Sequence, residues 1–168
     1  MTRVRYFFGQ LLTAEAFETE QTYHIEKRRL QNRLLLGAGI VRGLEVTAAQ
    51  DSGNAIKVSP GIAIDRNGNE IIVQDPFHLG PCSHMSGTCR VIVRYTETPS
   101  DPVAAINGGT EFSRITEGFA ISIVADDDCE LSADAVDLAR VIRRNGRWAV
   151  ESPGLNQSDS LRTPETTE

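Results

Sequence analysis

The sequence is poor in sulfur and in aromatic side chains. It has three cysteines, two methionines and one tryptophan, and aromatic residues make up 6% of it. Cys82, Cys89 and Cys129 are too few and too unevenly spaced for a disulfide framework. A surplus of positive charge is also missing. The 17 basic side chains are outnumbered by 23 acidic ones, for a net charge of -6. That balance argues against non-specific binding to nucleic acid or to an anionic lipid surface, which needs surplus lysine and arginine. No apolar run approaches the roughly 20 residues that span a bilayer. The N-terminal apolar stretch 6–12 is interrupted by Gly9 and Gln10 and followed by acidic residues from Glu15, unlike a signal peptide. Cytoplasmic synthesis is the expectation, and it leaves room for later release within a larger particle. The nucleophile elbow, the zincin helix motif and the phosphate loop are all absent, and no internal repeat is found.

What is present is an ordinary globular composition. The chain has 168 residues, 40% hydrophobic and 24% charged. A chain near this size buries about 70% of its unfolded surface, enough for a true core. The expected class is α+β, mainly β. A helical arm (1–39) leads, a compact antiparallel β-rich domain of short strands and hairpins (40–151) follows, and a disordered polar tail (152–168) closes the chain.

The helix is predicted over 14–35, with Thr13 as its N-cap and neither glycine nor proline within it. Leu12, Ala16, Tyr23, Leu30 and Leu34 recur at steps of four or seven residues, with Phe17 beside them, as one narrow apolar stripe. Glu15, Glu18 and Glu20 come early, while Lys27, Arg28, Arg29 and Arg33 come late, which complements the helix dipole. Gly37 and Gly39 stop the helix. The stripe can pack on the chain's own β-domain or join copies of the protein, and packing within the chain is favoured.

Short β-branched runs then alternate with turn residues. IVRGLEV (40–46), AIKVS (55–59), GIAID (61–65) and EIIV (70–73) read as strands. Asn67-Gly68 predicts a type I′ hairpin, which needs positive φ at both central residues. Residues 74–88 read as a loop. CRVIVRYTE (89–97) and RITEGFAISIVA (114–125) read as strands separated by a proline- and glycine-bearing loop. VDLARVIRR (136–144) and RWAVE (147–151) form a last hairpin across Asn145-Gly146, although the first of these also fits a short helix.

Candidate chemistry is sparse. Cys82, His84 and Cys89 offer three soft ligands, with His78, His24 or Cys129 as a fourth, and zinc is the metal such a set would hold. Their C-x-H-x4-C spacing is not one of the usual zinc units, and an exposed loop with incidental cysteines competes with it. On this loop rests the alternative reading, a small metal-binding enzyme or regulatory domain. The run Asp126, Asp127, Asp128 lacks the EF-hand spacing and reads as a solvated turn. The basic segment EKRRLQNR lacks interleaved aromatics for base stacking, so pairing with carboxylates of a neighbouring protein suits it better. No catalytic residue is expected.

The N-terminal block RYFFGQLLTAEAFETEQTYHIEKRRLQNRLLLGAGIVRGLEV, with Gly9, Leu12, Phe17, Gln21, Tyr23, Lys27, Arg28, Asn32, Gly37 and Gly43-Leu44 in order, resembles a group of bacterial proteins. These belong with phage-tail-like contractile injection systems, as baseplate or tail-fibre-attachment components. VSPGIAIDRNGNEIIV, VRYTETPSDPV, TEFSRITEGFAISIV and VDLARVIRRNGRWAV extend the resemblance over residues 5 to 150. Gln31, Ala38 and Arg42 stand where the group often has His, Trp and Cys. Many of its members are longer, and an end in a polar tail without a further module favours an adaptor over host recognition. The resemblance implies a non-enzymatic structural protein without a cofactor. Its partners would be baseplate, spike or fibre proteins of a particle, with further copies of itself as another option. Phe17, Tyr23, Arg28, Arg29 and Asn32 are the candidate interface residues, and core packing competes for Phe17 and Tyr23.

Overall fold

The computed structural model describes residues 1–48, 55–80, 87–126, 132, 134–145 and 147–153. Helix α1 (Ala14–Gln31) begins where its sequence signals place it. The hydroxyl of Thr13 accepts from the Ala16 N–H at 3.2 Å, so one of the orphan donors of the first turn is satisfied. The helix continues as a π-helical turn, Asn32–Leu36. There the Gly37 N–H donates to the Asn32 carbonyl at 2.8 Å, five residues back. Gly37, at φ 72, then ends it. Ahead of α1 the chain turns at Gly9 and runs back beside the helix, where the Tyr6 hydroxyl donates to Glu20 at 2.6 Å. Among the described residues no helix is long and apolar enough to cross a membrane.

Among the described residues ten antiparallel strands follow, so the protein is mainly β with one N-terminal helix. They are β1 (Gly39–Gly43), β2 (Val46–Ala48), β3 (Ile56–Val58), β4 (Gly61–Ile64), β5 (Glu70–Val73) and β6 (Phe77–Leu79). Then come β7 (Gly87–Ala104), β8 (Thr110–Ala125), β9 (Ala135–Arg144) and β10 (Arg147–Pro153). Three sheets result, ordered β1-β4-β5, β2-β3-β6 and β10-β9-β7-β8. Ile56, Val58, Ala63, Ile71 and Val73 from the two small sheets pack against Val91, Val93, Leu138, Val141 and Trp148 of the large one. Alternation in EIIV and IKV puts one face of each short strand inside. Each fully buried Val or Ile contributes roughly 1.5–3 kcal/mol.

Several boundaries differ from the sequence reading for local reasons. IVRGLEV is two strands. Leu44 is buried at φ 58, so the chain kinks there and passes from one small sheet to the other. Gly43 beside it has φ 66, and a Cβ on it would meet the Pro60 carbonyl oxygen at 2.1 Å. The stretch 74–88 contains β6, placed by pairing with β3 rather than by any alternation of its own. The stretch between the two longest predicted strands is not a loop. β7 and β8 continue as a paired ribbon to Ala104 and Thr110, around Pro99 and Pro102. The Asn67-Gly68 turn is not type I′, because only Gly68 has positive φ. The Gly68 N–H donates to the Asp65 carbonyl and the Asp65 N–H to the Asn69 carbonyl, a type I turn closed by a glycine bulge. At the last hairpin Arg144 pairs with Arg147, and Asn145 has φ 52, as a two-residue turn requires. VDLARVIRR is strand. Strand β10 runs through Pro153, and residues 154–168 lie outside the described ones.

Candidate interaction surface

The end of the helical arm is fastened to the tip of the β4–β5 hairpin. Asn32 is 7% exposed, and its side-chain amide donates to the Gly68 carbonyl at 2.9 Å and to Glu70 Oε1 at 3.1 Å. One turn back, Arg29 Nε donates to Asn69 Oδ1 at 2.6 Å. The amide of Asn69 donates in turn to the fully buried Asp65 carboxylate at 2.7 Å, and the Asn69 N–H donates to the same group at 2.8 Å. Asp65 therefore orients Asn69, and Asn69 holds Arg29. Arg33 donates to the Asn67 carbonyl at 2.9 Å. A Cβ on Gly68 would lie 2.2 Å from the Arg29 carbonyl oxygen, so glycine permits both the turn and the close approach of the helix.

Beside this joint the arginines reach the ribbon. Arg29 meets Glu97 of β7 at 3.4 Å, and Arg28 meets Glu117 of β8 at 3.6 Å and Glu70 at 3.9 Å. Glu97 and Glu117 face each other across the ribbon, so the helix end spans both strands. The Tyr95 hydroxyl donates to Glu97 at 2.9 Å. Burial first, and that hydrogen bond to a carboxylate second, push its pKa well above the usual tyrosine range.

Of the five candidate interface residues, Arg28, Arg29 and Asn32 are thus engaged within the chain. Phe17 and Tyr23 lie elsewhere. Phe17 is 48% exposed and shares a helix face with Gln21, His24 and Ile25. Tyr23 is half-buried, lies edge-on to His24 and lines a groove with Met1, Thr2, Thr19 and Thr22. No residue of α1 is buried. Tyr6, Phe7, Phe8, Leu11 and Leu12 ahead of it are also exposed, as are Leu34, Leu35 and Leu36 at its end. The helical arm therefore presents a run of apolar side chains to its surroundings. Such a run marks an interaction surface more often than solitary exposed residues do.

The metal-ligand candidates do not assemble within the described residues. Cys89 is 1% exposed, in the core on β7, while Cys82, His84 and Cys129 lie outside the described residues. His24 sits on α1 and His78 on β6. Asp126 is part of a charge network rather than of a solvated turn. It meets Arg90 at 2.6 Å and Arg140 at 3.3 Å, and Arg90 also meets Asp137 at 3.4 Å. The hydrogen bond from Arg90 holds the Asp126 pKa below the ordinary carboxylate value, whereas burial raises that of Asp137. Sequence reasoning missed Asn69, Glu97 and Glu117 as partners of the arginines. The signal was present only as an excess of carboxylates in the β-domain.

The chain is mainly β, with one N-terminal helical arm joined to antiparallel sheets. Solved structures with a similar fold include baseplate proteins of the type VI secretion system, a phage-tail-like contractile machine. A chain of its TssK-TssF-TssG baseplate subcomplex matches with a TM-score of 0.57 and 11% identity, over 90% of this chain and 60% of that one. A crystal structure of TssK matches with a TM-score of 0.53 and 16% identity, over 89% of this chain and 40% of that one. The present chain therefore spans less than two thirds of the length of these neighbours, and the likeness is one of fold. No protein-family model and no curated protein sequence matches the chain.

Proposed function

We propose that the protein is a non-enzymatic structural adaptor in the baseplate of a phage-tail-like contractile particle. It would join baseplate, spike or fibre components by protein–protein contact. The observation that carries this reading is the helical arm. Its C-terminal end is tied to the β-domain by four side chains, while α1 has no buried residue and the segment before it exposes Phe7, Phe8, Leu11 and Leu12. In proteins most helical stability comes from packing an apolar face, and this 18-residue helix has no fully buried residue, so a neighbour completes its surface in this reading. Phe17 and the groove beside Tyr23 are the contact residues in this reading. Arg28, Arg29 and Asn32 set the direction of the helix. The fold neighbours support the placement, since they come from baseplate assemblies.

The test uses native particles. The tagged protein is expressed in its own cell, sheathed assemblies are sedimented, and co-purifying proteins are identified by mass spectrometry. Stable co-sedimentation with sheath, tube and spike proteins, lost in Phe17→Asp, is the expected result. Retention in the soluble fraction while intact particles pellet would overturn the proposal.

A further inference from the structure

The ribbon formed by β7 and β8 has two edges of different chemistry. β7 pairs with β9 only over Gly87 to Arg94, so its edge is open from Tyr95 outward. That open stretch carries Pro99, Pro102 and, between them, Asp101 at φ 55. Prolines and kinks are the devices by which a strand edge is closed to further pairing. The other margin of the large sheet, β10, lies against β2. Among the described residues the outer edge of β8 has neither kind of protection. It is the last strand of its sheet, has no proline, and keeps one register against β7 from Thr110 to Ala125. Its distal half is also exposed and partly apolar, with Phe112 and Ile115 open to the surroundings.

An unpaired strand edge presents a row of backbone N–H and C=O groups. Water satisfies these groups singly, and the partner whose own groups match the whole row is another extended polypeptide. From this we infer that the outer edge of β8, over Thr110 to Glu117, accepts a β-strand from a neighbouring subunit of a different protein. Side chains refine the description of that strand. Phe112 and Ile115 lie on opposite faces of the ribbon, so the incoming segment carries apolar residues toward both faces. Glu111 has no charged partner among the described residues, whereas Arg114 is neutralised by Asp101 at 2.7 Å and Glu117 by Arg28 at 3.6 Å. The segment therefore brings a lysine or arginine to the Glu111 end. Glu117 meets Arg28 of the helix end, so the acceptor edge begins beside the helical arm. This inference rests on the adaptor reading and adds a second docking element to it.

The test is hydrogen exchange on the full-length protein, free and within sedimented particles. Amides of Thr110 to Glu117 that point away from β7 are expected to slow about tenfold or more on assembly. Proline substitution gives an independent readout. In an antiparallel ribbon successive amides point alternately toward the partner strand and away from it. Of Ile115→Pro and Thr116→Pro, one therefore removes a bond to β7 and the other only an outward amide. The variant with unchanged thermal unfolding is expected to drop out of particles. If the wild type pellets with particles and these amides exchange at their free rate, strand addition is overturned while the adaptor reading stands. If the free protein already protects them and dilution abolishes the protection, the strand comes from a second copy and the inference is wrong. If the wild type never pellets with particles, both readings fall together.

Discussion

Asn32 and Gly68 stand 36 residues apart in the chain and are joined by a 2.9 Å hydrogen bond from the side-chain amide of one to the backbone carbonyl of the other. The same amide reaches Glu70. The amide is costly to lose, because the buried Gly68 carbonyl stays behind without its side-chain donor. Asn32→Ala is expected to lower stability by about 1–3 kcal/mol, read from the midpoint of urea unfolding. Asn32→Asp should cost more, since it sets a carboxylate beside Glu70.

Gly68→Ala tests the same joint from the other side. The substitution places a Cβ 2.2 Å from the Arg29 carbonyl oxygen and holds an L residue at φ 87. A fall in Tm of several degrees is expected for a domain of this size. Gly80→Ala, with nothing within 4 Å of its Cβ, is the control and should leave Tm unchanged.

The order of importance among the polar contacts at the helix end follows from burial. Arg28–Glu117 joins two largely exposed side chains, and a double-mutant cycle should give a coupling of about 0.2–1 kcal/mol that shrinks with added salt. Asn69→Ala removes the side-chain donor to one oxygen of the fully buried Asp65 carboxylate, while the backbone N–H of residue 69 still serves the other. It is expected to exceed the surface pair several-fold in the same unfolding assay.

Acid should weaken the β7–β9 region through Asp126. Its pKa is held below the ordinary 3.8 by Arg90, so it contributes stability that is present above 3.8 and lost as pH falls through the depressed value. Asp137 acts in the opposite sense, because burial raises its pKa and its ionisation on going to neutral pH costs stability. Asp126→Asn is expected to lower Tm at pH 7 and to flatten the decline of Tm below about pH 4. An acid limb as steep as in the wild type would show that other carboxylates dominate it.

Phe17→Asp separates folding from function. The side chain is half exposed and touches no core residue, so unfolding should shift by less than about 0.5 kcal/mol. Under the proposed function the same variant fails to enter particles.

Much of the fold was legible because local signals and tertiary placement agree. Thr13, the glycine-free run after it and Gly37 mark the helical arm, and EIIV alternates as a half-buried strand should. What stayed hidden depends on contacts distant in sequence. Phe77 to Leu79 is strand only because β3 offers it an edge. Pro99 and Pro102 read as breakers, yet both are tolerated where β7 has no second neighbour. The IVRGLEV run gave no hint of its kink, since a leucine at positive φ runs against propensity and is sustained there by complete burial. Among the candidate interface residues, the sequence placed Arg28, Arg29 and Asn32 on one helix end. It could not say that their carboxylate and carbonyl partners lie in the same chain. Charge pairing is blind to the molecule that supplies the counter-charge.

The joint at Asn32 has a geometric corollary. With α1 about 27 Å long at 1.5 Å per residue and fastened at one end, it works as a lever whose fulcrum is the β4–β5 turn. A rotation of about 10° at that turn carries the far end, with Phe17 nearby, through roughly 5 Å at this length. A few hydrogen bonds around Gly68 and Asn69 therefore fix where a neighbour bound at the other end would stand. Substitutions there would show themselves as misaligned assemblies before they showed as unfolded protein.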